Sequence, residues 1–188
     1  MKMKKLAGLM VAGLIIAGGK LSHAANNASV QLAVTINSSI DISIVGTSTI
    51  TFPAVALGNA GVVGSNNIVL RNDSVGLNVT YSLAGNNDAD WSWGVSASSN
   101  TFAVRALFNT AAPVTGDFSD TDDLVTVSAG AFPGGYRTAS AVNFAGTQSG
   151  LSVPPLGTRN LWAKFIPATS SSVLFGSRSL FLNVVAGL

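Results

Sequence analysis

Apolar residues at every second position, in short stretches closed by turn-forming residues, constrain this chain more than any other feature. The clearest set is Val30, Leu32, Val34 and Ile36, continued by Ile40, Ile42 and Ile44. Successive side chains of a strand point to opposite faces, so this period lays one apolar row on a core and leaves the other face to solvent. Further strands are expected at 48–52, 67–71, 77–83, 91–97, 101–108, 124–128, 161–166 and 179–185. Gly58-Asn59-Ala60-Gly61, Asn72-Asp73-Ser74, Gly85-Asn86-Asn87, Ser98-Ser99-Asn100 and Pro133-Gly134-Gly135 separate them and favour chain reversal. No segment beyond residue 24 combines helical periodicity with caps. About nine to ten strands spaced this way define an all-β fold, two packed antiparallel sheets in a sandwich.

The start of the chain follows a different pattern. Lys2, Lys4 and Lys5 precede a short apolar core, and Ser22-His23-Ala24 puts small residues where an export leader is cut. Residues 1–24 are expected to be a signal peptide and 25–188 a single β-sandwich domain. Gly8, Gly13, Gly18 and Gly19 interrupt the apolar core before Lys20, so a stable membrane span is not expected. The expected location is secreted, extracellular or cell-surface, with the periplasm as the other exported compartment.

Charge follows from that division. The leader carries Lys2, Lys4, Lys5 and Lys20, leaving six basic residues against eight aspartates and a net charge of −2. The basic isoelectric point of the whole chain therefore belongs to the leader, and a nucleic-acid partner is not expected.

Missing residue types limit the chemistry further. The chain has no cysteine and no glutamate, its only histidine is His23 in the leader, and Lys164 is the only lysine after Lys20. Nucleophilic triads need an imidazole or thiolate, and zinc, copper and iron sites draw on His or Cys. A Ser-Lys pair would depend on Lys164. Alternation in Leu161-Trp162-Ala163-Lys164-Phe165 makes Leu161, Ala163 and Phe165 the core set and turns Lys164 outward to solvent. The chain is read as non-enzymatic.

Oxygen ligands are available, which admits calcium as the one candidate cofactor. Asp117, Asp120, Asp122 and Asp123 form the candidate metal cluster, with a second acidic stretch at Asn86, Asn87, Asp88 and Asp90. Neither follows the EF-hand pattern, and aspartate is also a common turn residue. Trp91 and Trp93 share one face of a strand and form a carbohydrate-stacking platform if exposed, or core if buried. The stretch 129–157 has few large apolar residues and reads as a long loop with one edge strand near 142–144.

The run Ile68-Val69-Leu70-Arg71-Asn72-Asp73-Ser74-Val75-Gly76-Leu77-Asn78-Val79-Thr80-Tyr81-Ser82-Leu83 resembles the strand, Asn-containing turn and strand unit of immunoglobulin-like modules in bacterial and archaeal surface proteins. The resemblance implies an immunoglobulin-like antiparallel β-sandwich and a surface location. The expected function is a structural or assembly module with protein partners, including copies of itself. Its candidate assembly residues are Val30, Leu32, Val34 and Ile36, since a strand tethered at one end can pair with a neighbour's sheet edge. The alternative is a carbohydrate- or calcium-dependent ligand-binding protein.

Overall fold

Alternating stretches become strands wherever both the core and a pairing partner are within reach. The computed structural model describes residues 39–86, 92–126, 135–172 and 180–188, all within the unit Asn37–Leu188. Among them run β1 (Ile42–Val45), β2 (Val62–Val63), β3 (Ile68–Asn72), β4 (Thr80–Asn86), β5 (Ser92–Trp93), β6 (Thr101–Phe108), β7 (Arg137–Thr138), β8 (Thr158–Ile166) and β9 (Phe181–Gly187). The one helical element among the described residues is a single 3₁₀ turn, Thr115–Asp117. The protein is all-β.

Two sheets form. The larger has the order β1-β3-β8-β6-β5, with β2 also paired to β8; the smaller has the order β7-β4-β9. β6 and β8 pair antiparallel from Ala103↔Ile166 to Phe108↔Leu161, and β4 and β9 from Thr80↔Gly187 to Asn86↔Phe181. One pair departs from the expected antiparallel pattern. β5 runs parallel to β6, joining Ser92 to Thr101 and Trp93 to Phe102, and a contact of two residues is short enough for 94–100 to loop back in the same direction.

The core lies between the sheets. Leu70, Tyr81, Leu83, Phe102, Val104, Phe108, Leu161, Ala163 and Phe165 are all buried there. Phe102 stands 5.6 Å from Phe165 and 5.2 Å from Trp93, and Tyr81 5.9 Å from Phe108, all tilted rather than stacked. Each fully buried large apolar side chain contributes about 1.5–3 kcal/mol relative to exposure, which makes this row the main source of stability.

The outer face of β6 and β8 is covered as well. Residues 109–123 fold across it and bring Phe118 against Leu107 and Trp162, forming a second small apolar cluster beside Val63. Lys164 is therefore not solvated as alternation led us to expect. Only 8 % of it is exposed, and its Nζ donates to the Thr115 carbonyl at 3.2 Å. The core set Leu161, Ala163 and Phe165 holds as expected; the covering layer comes from a segment without strand periodicity.

The 129–157 stretch also differs from its reading. Among its described residues the strand is β7, not 142–144, and Ala139, Phe144 and Val153 enter the main core. Phe144 takes a left-handed backbone, φ 59°, to turn its ring inward, where the Arg137 guanidinium lies 5.6 Å from the ring centre. Residues 48–52 form no strand because the Asn66 side chain takes the place of one. Its Oδ1 accepts from the Thr51 N–H at 2.9 Å, and its Nδ2 donates to the Thr49 carbonyl at 2.6 Å.

Candidate functional site

Packing is uneven across the sandwich. β6 is buried almost throughout and β8 from Leu161 to Phe165, whereas β1 and β9, which end the two sheets on one side, are only half-buried or exposed. Between these two edges lies a cleft of about 310 Å³, lined by Ile42, Ser43 and Ile44 of β1, Leu70 of β3, and Leu182, Asn183 and Val184 of β9. Among the described residues neither edge has a strand on its outer side. Ile44 is 47 %, Val45 42 % and Phe181 67 % exposed along the same border. An apolar cleft between two strand edges that have no outer strand among the described residues offers a place for strand addition over a hydrophobic floor.

Asn72 fixes β1 in place. It is fully buried; its Nδ2 donates to the carbonyls of Leu77 and Val153 at 2.8 and 2.9 Å, and its Oδ1 accepts from the Ser74 N–H at 2.9 Å. Ser74 Oγ in turn accepts from the Asp41 N–H at 2.9 Å, and the Asp41 carbonyl accepts from the Asp73 N–H at 2.9 Å. The residue before β1 is thus clamped to the turn after β3. At the same end the Arg71 Nε–H pairs with the Asp73 carboxylate at 2.5 Å. The cleft lining itself carries no charged side chain.

The residues singled out in the sequence do not gather at one point. Trp93 belongs to the core, 6 % exposed, with its Nε1–H donating to the Val125 carbonyl at 2.9 Å, so it presents no face to a sugar. Trp91, Asn87, Asp88 and Asp90 lie outside the described residues, as do Val30, Leu32, Val34 and Ile36.

The aspartates at 117–123 are engaged as turn acceptors rather than converging on one point. Asp117 accepts from the Val114 N–H at 2.8 Å, Asp122 from the Ser119 hydroxyl at 3.1 Å and Asp123 from the Ser119 N–H at 2.7 Å, while Asp120 lies 3.5 Å from Arg105 Nε. No group of three or more His, Cys, Asp or Glu among the described residues is arranged to hold a metal.

The burial of two ionisable groups, Arg105 and Asp123, is not signalled by the sequence. Arg105 is 3 % exposed, and its Nη2 donates to the Val95 carbonyl at 2.9 Å. Asp123 is also 3 % exposed, and burial pushes its carboxyl up to about 6. Backbone bonds beside them fasten the covering segment: the Ala106 N–H donates to the Asp123 main-chain carbonyl and the Val125 N–H to the Val104 carbonyl, at 2.8 and 3.1 Å. Arg105 sits mid-strand between apolar neighbours, a position that the period alone marks as outward and solvated.

Comparison with protein-family models, with curated proteins and with solved structures finds no match. No helix among the described residues is long and apolar enough to cross a membrane.

Proposed function

We propose that this chain is an exported, non-enzymatic module of a cell-surface or extracellular assembly, an immunoglobulin-like β-sandwich that works through its open edge. The observation that supports this most is the cleft between β1 and β9, where two strand edges without outer partners among the described residues border an uncharged apolar floor. Monomeric proteins blunt such edges with charges, proline or a covering element. The four residues of β1 and the seven of β9 contain no charged residue and no proline. Export rests on the Lys-rich start, the apolar core and the small residues Ser22 and Ala24.

Negative-stain microscopy of the exported protein over a concentration series tests the reading. Filaments, sheets or discrete oligomers that grow with concentration are expected. Dispersed monomers throughout, with specific glycan binding in their place, would contradict it.

A further inference from the structure

Resting on the assembly reading, we propose that the cleft between β1 and β9 is an acceptor site for residues 30–36 of a second copy of this chain, added as a strand. The chemistry of the two surfaces matches. Residues 26–36 carry no charge and place Val30, Leu32, Val34 and Ile36 on one face if extended, and the cleft offers Ile42, Ile44, Leu70, Leu182 and Val184. The seven residues from Val30 to Ile36 equal β9 in length, about 23 Å of extended chain. A strand in this position would satisfy the outward backbone groups of an edge while its apolar row fills the cleft floor.

A second copy is favoured as the donor by how the chain enters β1. The Asp41 N–H and carbonyl are both bonded to the turn at 73–74, so β1 begins at a fixed point at the end of the cleft. A return onto the same copy's β1 would have to reverse the chain within the four residues from Asn37 to Ile40, directly before the point fixed at Asp41. Ser39 and Ile40 are exposed, so the chain reaches β1 over the surface. Donation to a neighbour needs no reversal, and because donor and acceptor are different surfaces the contact is head-to-tail and can propagate.

The absence of cysteine makes disulfide trapping in the full chain unambiguous. Two single variants, Val34→Cys and Leu182→Cys, are mixed under reducing conditions and oxidised, with Ile44→Cys as a second acceptor variant on the exposed side of the cleft and Thr169→Cys as an exposed control. Circular dichroism confirms that each is folded. A mixed two-chain species containing one of each partner is expected with either acceptor and not with the control. Adding Leu32→Arg to the donor chain should lower its yield at least about tenfold, since a charge would enter the apolar floor.

Closure of a Val34→Cys, Leu182→Cys double variant within one chain, with no mixed species, overturns the proposal. Assemblies that form without the crosslink and ignore Leu32→Arg overturn it while leaving the assembly reading in place. A chain that stays monomeric at every concentration overturns both.

Discussion

Gly85 of β4 lies flat against the Trp93 ring, so close that a Cβ at position 85 would sit 2.4 Å from the ring carbons. The two positions are a packing pair: β4 carries no side chain at this point because the indole of β5 fills the space. Gly85→Ala forces either the ring or the strand to move, and overpacking of this kind costs about 1–3 kcal/mol. The urea midpoint of Gly85→Ala should fall accordingly. The broken contact with the Val125 carbonyl should appear as a change in tryptophan fluorescence.

Asn72 makes three side-chain hydrogen bonds while fully buried. Asn72→Leu removes the side-chain partners of the Leu77 carbonyl and the Ser74 N–H, and one of the two partners of the Val153 carbonyl, which also accepts from the Val79 N–H. With each of the two orphaned groups costing about 1–3 kcal/mol, the loss should be at least about 2 kcal/mol. Asn72→Asp keeps the acceptor for Ser74 and loses both donors, so it should be intermediate or worse at neutral pH, where a buried charge is added. Hydrogen exchange should show the amides of β1 losing protection before those of β6, because the clamp on Asp41 depends on the Asn72 turn.

Asp123 gives stability an unusual pH slope. Its carboxyl titrates at about 6 in the folded protein and near 3.8 in the unfolded chain, with burial as the leading cause. Between those values the folded protein keeps a proton that the unfolded chain has released, so unfolding releases it and stability falls as pH rises. The contribution is fully present below about pH 4 and lost as pH passes through about 6, at most about 3 kcal/mol. Asp123→Asn retains an acceptor for the Ser119 N–H and should flatten the slope between pH 4 and 7 while raising stability at pH 7. Urea unfolding at a series of pH values measures both, and an unchanged slope in the variant would assign the dependence elsewhere.

Among the described residues, the expected strands that form are those whose partners are also strands. The expected 101–108 coincides with β6, and 67–71, 77–83, 161–166 and 179–185 overlap β3, β4, β8 and β9. Legibility ends where a side chain or a loop substitutes for a strand. Asn66 ties down 48–52, the 109–123 segment buries Lys164 and Trp162, and Phe144 reaches the core from a left-handed turn that no periodicity announces. The Asn72-Asp73-Ser74 turn was recognisable from composition, but its burial depends on Val153, distant in sequence. The cleft was only half legible: Ile42 and Ile44 stand out in the alternation, whereas their facing Leu182 and Val184 come from the far end of the chain.

If the β1–β9 edge is an association surface, sedimentation velocity will separate wild type from Ile44→Lys. Ile44 is 47 % exposed at the cleft mouth, so the change places a charge on the edge without emptying the core. Wild-type sedimentation coefficients should rise with concentration, and the Ile44→Lys protein, with the same circular dichroism, should remain monomeric over the same range. A wild type that stays monomeric, or an association that Ile44→Lys leaves intact, would contradict that role for the edge.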